Sequence, residues 1–221
     1  MSIRRRQVGV LISGRGSNMA ALIAACRAPD YPAEIAIVVS NRPDAAGLDH
    51  ARAAGVATAV VDHKAYPDRP AFEEALHARL MAAGVEIVCN AGFMRLLTAG
   101  FVAKWLNRHL NIHPSLLPAF TGLGTHERVL AAGVTITGCT VHLVRAAMDD
   151  GPIIAQAAVP VLPGDDAERL AARVLAAEHQ LYPHALRMLA AGEVRVAGDR
   201  IFRTSCKGDE PALFSPPLQL P

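Results

Sequence analysis

The feature that most constrains the fold is an alternation of short apolar runs with longer amphipathic segments over the first half of the chain. The first run, residues 7–12, is apolar on both faces, which is typical of a central strand in a parallel sheet. The alternation predicts an α/β fold with a Rossmann-like, doubly wound and mostly parallel sheet. The predicted strands are 7–12, 34–40, 58–61, 86–90 and 108–112, and the predicted helices are 19–27, one ending at 55, 68–83 and 98–105.

The second half of the chain has a different pattern, which predicts an antiparallel continuation of the sheet. Its predicted elements are a short helix at 126–132, antiparallel strands at 135–145 and 152–161, a long helix at 165–191 and a hairpin at 194–202. We expect residues 1–206 to form a single domain with two halves, 1–118 and 119–206. The proline-rich residues 207–221 are predicted to be an extended or disordered tail.

Composition narrows the class of protein. The chain has 221 residues, of which 52% are hydrophobic and 19% charged, so it can bury the core of a compact domain. The net charge is +2 and no long run of lysine or arginine is present, which argues against a nucleic-acid partner. No apolar run has the length of a membrane span, and no signal-peptide cleavage site follows the N-terminus. Scattered cysteines without a CxxC motif indicate reduced thiols and a cytoplasmic location.

A glycine-containing loop, residues 13–18, follows the first strand and precedes a helix. Its glycines allow backbone N–H groups to approach an anion at the N-terminus of that helix. The loop is neither a Walker sequence nor a complete GxGxxG fingerprint, because the third glycine is missing. An anion-binding loop and a simple Ser/Asn-capped turn are both consistent with these residues.

A polar pair, Asn111 and His113, ends the fifth predicted strand. Residues two apart on a strand point to the same side, so both side chains should leave one face at the carboxyl edge of the sheet, where ligands bind. Pro114 then ends the strand, because proline donates no ladder hydrogen bond. An amide beside an imidazole can stabilise a carbonyl oxygen that becomes charged, and the imidazole can transfer a proton. An ordinary turn is the alternative.

A second turn, residues 148–152, offers a carboxylate for this imidazole. A contact of Asp149 with His113 would orient the ring and favour its charged form, although an Asp-Asp-Gly-Pro sequence also suits a turn with no further role.

Two other histidines are weaker candidates for a functional role. His109 and His113 are four residues apart but do not converge on a strand, so we expect no metal site. His142 is expected to pack within its own strand.

Several motifs occur in the order found in one enzyme family. They are Ser13-Gly14-Arg15-Gly16-Ser17-Asn18, residues 91–97 (Ala-Gly-Phe-Met-Arg-Leu-Leu), residues 111–118 (Asn-Ile-His-Pro-Ser-Leu-Leu-Pro), Gly122-Leu123, Thr125-His126, and Asp149 with Gly151-Pro152. Over residues 7–203 the chain resembles the phosphoribosylglycinamide formyltransferases, within the superfamily that uses 10-formyltetrahydrofolate. The Asn-x-His…Asp set marks the superfamily, whereas the glycine loop and the Gly-Leu-x-Thr-His segment point to the ribonucleotide enzymes.

The resemblance implies a reaction of purine biosynthesis. The amine of glycinamide ribonucleotide attacks the formyl carbon of 10-formyltetrahydrofolate, the formyl-donor co-substrate, without a metal. Asn111 would donate to the oxyanion, protonated His113 would stabilise the same charge, and Asp149 would keep His113 charged and order a proton-relaying water. Residues 1–118 would then be the nucleotide-binding half, and 119–206 the folate and catalytic half, of one formyltransferase domain.

The resemblance also implies two sets of substrate-binding residues. The ribonucleotide set is Gly16, Ser17 and Asn18 at the phosphate and Glu178 at the ribose. The folate set is Arg69, Met94, Arg95, Leu96, Leu97, Arg145, Ala146, Ala147 and Met148. Simpler interpretations exist for several of them: Glu178 as a solvated helix charge, Arg69 as a first-turn residue before a proline, and the loop residues 94–97 as core packing, with Leu97 able to serve both roles.

Two residues depart from the family pattern. Asp150 stands where many members have glycine, and it adds a second carboxylate beside Asp149. Gly124 stands where many members have a histidine, so either that histidine is dispensable here or His126 takes its role. Neither departure removes a residue of the catalytic set.

Two related enzymes and one non-enzyme remain as alternatives. Formyltetrahydrofolate deformylase shares the Asn/His/Asp set, but its members usually carry an N-terminal regulatory domain, whereas the first strand here is predicted at residue 7. Methionyl-tRNA formyltransferase adds an RNA-binding domain, which the short segment after Phe202 and the near-neutral charge argue against. The third alternative is an inactive nucleotide-binding module. Such a module would not need all three catalytic residue types, so their presence argues against it. The sequence leaves the oligomeric state open, with a homodimer as one option.

Overall fold

The structure, a computed structural model, describes residues 4–204 and Ser215. The predicted tail therefore lies outside the described residues, apart from Ser215. The strands are β1 (Arg6–Ile12), β2 (Ala33–Ser40), β3 (Thr58–Val60), β4 (Ile87–Asn90), β5 (His109–His113), β6 (Ile136–Leu143), β7 (Ile153–Pro160), β8 (Val194–Ala197) and β9 (Arg200–Arg203). The helices are α1 (Ser17–Cys26), α2 (Gly47–Ala53), α3 (Arg69–Ala82), α4 (Ala99–Lys104), α5 (Thr125–Ala131) and α6 (Ala167–Ala190), with a 3₁₀ turn at His63–Ala65.

Seven strands form one sheet in the order β3-β2-β1-β4-β5-β6-β7, and β8 pairs with β9 as a separate hairpin. Neighbouring strands from β3 to β5 are parallel, whereas β6 is antiparallel to both β5 and β7. The predicted fold class is therefore confirmed. Strand order reverses at β1, so the crevice between the carboxyl ends of β1 and β4 is the switch point where open sheets bind ligands. Among the described helices, none is long and apolar enough to cross a membrane.

An apolar cluster lies on each face of the sheet. Helices α1 and α6 cover strand residues such as Val10 and Leu110 on one face, and α3 and α4 cover Leu11 and Val88 on the other. Because side chains alternate along a strand, each strand contributes to both clusters. The residues whose side chains cap the N-termini of α3, α4 and α6 are Asp68, Thr98 and Asp166.

The alternation of side chains along β5 positions the polar residues. Leu110 and Ile112 belong to the cluster under α1 and α6. His109, Asn111 and His113 therefore point to the opposite face, the one that α3 and α4 cover. The strand ends one residue later than predicted, so His113 is its last residue. A row of three polar side chains thus reaches the carboxyl edge of the sheet next to the switch point.

Candidate active site

Four polar side chains meet at the carboxyl end of β5, and we refer to Asn111, His113, His142 and Asp149 as the polar cluster. The register of β5 with β6 places Asn111 opposite His142. The turn after β6 then returns Asp149 to the same place, where its Oδ2 atom lies 3.5 Å from His113 Nδ1 and its Oδ1 atom lies 3.8 Å from His142 Nε2. Asn111 Nδ2 is 3.2 Å from His142 Nε2. The structure therefore brings together the three residues that the sequence predicted as catalytic.

His113 is buried, and both of its ring nitrogens face oxygen atoms. Nε2 lies 2.9 Å from the carbonyl oxygen of Phe120, and Nδ1 faces the Asp149 carboxylate. A carbonyl oxygen and a carboxylate only accept hydrogen bonds, so a ring with two N–H groups satisfies both neighbours, and a neutral ring satisfies only one. The arrangement suits an imidazolium.

Asp149 is held by its own backbone and by a second loop. Its φ of 56° lies in the left-handed region, which Asp adopts more readily than most residues. The backbone N–H of Gly122 donates to Asp149 Oδ2 at 2.9 Å. The hydrogen bond joins the loop after β5 to the turn after β6, so the carboxylate is fixed in place independently of the two histidines.

His142 is the residue of this site that sequence reasoning missed. Strand packing was predicted for it, but its Nε2 atom contacts the side chains of Asn111 and Asp149, and its Nδ1 atom lies 3.1 Å from the carbonyl oxygen of Leu143. Burial lowers the pKa of His142, because desolvation outweighs the opposing effects of the hydrogen bond to the Leu143 carbonyl and of the Asp149 charge. The neutral ring then carries its proton on Nδ1, facing Leu143, and Nε2 accepts a hydrogen bond from the Asn111 amide.

The glycine loop borders a cleft of about 500 Å³ at the switch point. Gly16 is the N-cap of α1 with a φ of 75°, a conformation that glycine adopts at little cost. The first N–H groups of α1 are left free for an anion, since none of the described side chains caps this helix. The lining residues are Ser13, Gly14, Arg15, Gly16, Ser17, Asn18, Asn41, Arg42, His63, Ala91, Gly92, Met94 and Arg95.

Glu178 on α6 faces the same loop. The interpretation as a solvated helix charge is wrong, because Glu178 is only 6% exposed and its Oε2 atom accepts a hydrogen bond from Asn18 Nδ2 at 2.7 Å. Desolvation raises the pKa of Glu178, and the hydrogen bond from Asn18 opposes that shift. Asn18 Oδ1 is buried without a partner among the described residues. Asn18 and Glu178, two of the four predicted ribonucleotide residues, thus present polar atoms at the anion-binding loop.

Comparison with known proteins agrees with this geometry. The sequence profile of the formyl transferase family matches residues 6–186. The chain belongs to the formyl transferase family. Like other members, it is a transferase built on a mostly parallel sheet with antiparallel C-terminal strands.

Individual relatives are similar over most of the chain. A glycinamide ribonucleotide transformylase 1 structure from Symbiobacterium toebii superposes with a TM-score of 0.89 at 50% identity and covers 91% of this chain and 95% of its own. The phosphoribosylglycinamide formyltransferase of Escherichia coli (strain K12) is 42% identical over 85% of this chain and 88% of its own length. The trifunctional purine biosynthetic protein adenosine-3 of Bos taurus is 52% identical over 87% of this chain, which spans only 19% of that longer protein.

The predicted folate loop of this family member, residues 91–97, follows β4 and borders the cleft. Met94 and Leu96 are exposed, which leaves their apolar surface available to a ligand. Met94 N–H donates to Ser13 Oγ at 2.8 Å, so the loop is tied to the glycine loop. Arg95 stacks over the Phe72 ring, and Leu97 packs on the apolar cluster under α3 and α4, as its simpler interpretation predicted.

The remaining predicted folate residues lie farther apart. Arg69 is exposed in the first turn of α3 and does not line the cleft. Arg145 donates to Asn107 Oδ1 at 2.8 Å, and Met148 is exposed beside Gly122. Ala146, Ala147 and Met148 form the exposed rim of the turn that carries Asp149, whereas Arg145 is partly buried beside them.

The two departures from the family pattern have structural counterparts. Asp150 is exposed, so its charge is more solvated than that of Asp149. Gly124 is the N-cap of α5 with a φ of 64°, a conformation that would strain a histidine. His126 is partly buried, and desolvation lowers its pKa, although the neighbouring Glu127 acts in the opposite direction.

Proposed function

We propose that the chain transfers the formyl group of 10-formyltetrahydrofolate to the amine of glycinamide ribonucleotide in purine biosynthesis. The observation that carries the proposal is the buried polar cluster of Asn111, His113, His142 and Asp149 beside an anion-binding loop. A carbonyl-type reaction centre fits the cluster, and a phosphate fits the loop. The name of the Escherichia coli relative, nearly all of which the chain spans, supports the same substrates.

The reaction needs one bond to form and one to break. The amine lone pair attacks the formyl carbon, and the carbonyl oxygen becomes an oxyanion in a tetrahedral intermediate. Asn111 donates an N–H to the oxyanion while its other N–H is held by His142, and the charge of His113 stabilises the same oxygen. The bond from carbon to N10 then breaks, and the amine proton passes to N10 through a water held by Asp149. The products are the formylated ribonucleotide and tetrahydrofolate.

The two substrates would meet at the polar cluster. The ribonucleotide phosphate is assigned to Gly16, Ser17 and Asn18, and the ribose hydroxyl groups to Glu178, whose buried carboxylate has an open acceptor capacity. The folate is assigned to the exposed apolar loop 91–97 and the turn at 145–148, with its glutamate carboxylates toward Arg69. Both substrates thereby reach the polar cluster at the carboxyl edge of the sheet.

We further propose that residues 1–206 form one formyltransferase domain with a nucleotide-binding half (1–118) and a folate and catalytic half (119–206). A single seven-stranded sheet that continues from the first half into the second supports this assignment. The thiols of Cys26, Cys89 and Cys139 are free and buried, which suits the reducing cytoplasm.

The test is to follow formyl release from 10-formyltetrahydrofolate by absorbance, with and without glycinamide ribonucleotide. Release that requires the ribonucleotide and yields its formylated product establishes the proposal. Equal release without the ribonucleotide, with formate as the product, would instead establish a deformylase. No release under either condition rejects both, and formylation of charged initiator tRNA would be measured next.

A further inference from the structure

A second polar pair lies on the same face of the sheet as the polar cluster, one strand away. His109 Nε2 is 2.9 Å from Asn90 Oδ1, and both residues are buried, at 1% and 7% exposure. Asn90 ends β4, immediately before the loop 91–97, and Phe101 of α4 packs edge-to-face on the His109 ring. Neither residue was singled out for the activity by the sequence.

The protonation of His109 follows from its surroundings. Burial and the neighbouring His142 lower the pKa of His109 to about 3, so the ring is neutral at pH 7. Its single proton lies on Nε2, because that nitrogen faces an oxygen that only accepts. The ring therefore donates to Asn90 Oδ1, and this bond determines which way the Asn90 amide points.

The orientation leaves the amide nitrogen of Asn90 free. Nδ2 makes no hydrogen bond to a described residue, and it remains accessible from the surface. His109 Nδ1, in contrast, is fully buried and has no hydrogen-bond partner in the described part of the chain. A pair with an unsatisfied buried nitrogen costs free energy that two apolar residues would not cost, so a packing role alone does not account for it.

The position of Asn90 indicates what its nitrogen meets. The register pairs Asn90 with Asn111, so the two side chains leave the same face of the sheet from neighbouring parallel strands, whose backbones are about 4.8 Å apart. In the formyl donor, a single methylene separates N10 from the pterin ring. With the formyl oxygen on Asn111 and the ring assigned to the loop 91–97, which directly follows Asn90, the ring would lie beside Asn90.

We propose that Asn90 donates a hydrogen bond through Nδ2 to an acceptor atom on the ring system of the bound formyl donor, and that His109 is the positioning residue that orients this amide. The inference deepens the proposed function and depends on it. It assigns to Asn90 a contact made equally by the substrate and the transition state, so the contact strengthens donor binding without changing the chemical step.

The experiment compares Asn90→Leu, His109→Leu, His109→Gln and the double Leu variant with the wild-type chain. Calorimetry gives the Kd for tetrahydrofolate, steady-state kinetics give KM and kcat, and thermal unfolding gives Tm. Asn90→Leu and His109→Leu should each raise the tetrahydrofolate Kd and the donor KM about tenfold, with kcat and the ribonucleotide KM within about twofold. The double variant should be no worse than either single one, because the two residues act as a unit.

Two further variants separate positioning from packing. His109→Gln keeps a donor for Asn90 Oδ1 and should restore most of the folate affinity. Thr137→Val removes a buried hydroxyl, one with no hydrogen-bond partner among the residues that the structure describes, from the opposite face of the sheet and should leave Kd unchanged. An unchanged Kd in Asn90→Leu, an additive loss in the double variant, or no rescue by His109→Gln would overturn the inference. If the wild-type chain neither binds tetrahydrofolate nor transfers the formyl group, the proposed function is overturned instead.

Discussion

His113 Nδ1 lies 3.5 Å from Asp149 Oδ2, and the two side chains are only 7% and 10% exposed. Because solvent hardly reaches these two positions, dissolved salt screens charges there much less than charges of a surface pair. The same Asp149 oxygen accepts the N–H of Gly122, so the backbone holds the carboxylate even when the imidazole is changed. The charge of Asp149 can therefore be removed without releasing the turn that carries it.

Replacing Asp149 by Asn tests this charge. The amide oxygen still accepts from Gly122, but the negative charge that faces His113 Nδ1 is removed, so kcat should fall by roughly 10² or more. Ribonucleotide affinity, measured by calorimetry, should stay within about twofold because Asp149 does not line the cleft. The neighbouring, exposed Asp150→Asn is the matched control. Equal effects of the two variants would remove the Asp149–His113 pair from the mechanism.

The amide of Asn111 is tested by Asn111→Asp, a change of nearly constant shape. The substitution replaces the N–H that donates to His142 Nε2, and the N–H assigned to the oxyanion, by a carboxylate oxygen. Oxyanion-hole losses of this kind reduce kcat by roughly 10²–10³. Gln180→Glu on the exposed side of α6 adds the same charge away from the site and should leave kcat unchanged. Retained turnover in Asn111→Asp would exclude the amide as the oxyanion donor.

Local sequence features predicted part of this site because they depend on neighbours along the chain. Asn111 and His113 are two residues apart and precede a proline, which is sufficient to place both on one face at the end of a strand. The role of His142 depends on the antiparallel register of β5 with β6, which no local pattern specifies. The burial of Glu178 likewise depends on the packing of α6 on α1, between residues 160 positions apart in the chain.

The buried carboxylate of Glu178 should contribute to ribonucleotide binding. Glu178→Gln keeps an oxygen that accepts from Asn18 but removes the charge, so the ribonucleotide KM should rise about tenfold with little change in kcat. The control is Glu168→Gln, an exposed position on the same helix. Steady-state kinetics at saturating folate measure both variants. If Glu178→Gln and the control have the same ribonucleotide KM, Glu178 has a packing role only.

Acid should destabilise the chain through His109. Its folded-state pKa of about 3 lies below the ordinary value of 6.5, so the unfolded state binds a proton that the folded state excludes. The neutral ring's contribution is fully present above pH 6.5 and is lost as the pH falls toward 3, by roughly 5 kcal/mol in all. Urea unfolding at several pH values should therefore show a shallower acid loss in His109→Leu than in the wild-type chain. Parallel curves would mean that another group causes the acid loss.

Two glycines of one loop give a matched pair for backbone strain. At Gly16 the φ is 75°, and a Cβ would lie 3.1 Å from both the Gly47 Cα and the Met19 Cε atoms, whereas a Cβ at Gly14 meets nothing within 4 Å. Gly16→Ala should therefore lower the free energy of unfolding by about 1–2 kcal/mol and weaken phosphate binding, because the first N–H groups of α1 must move. Gly14→Ala should change neither quantity. Urea unfolding and inorganic phosphate titration measure both variants. Equal stability of the two would show that the left-handed cap imposes no strain.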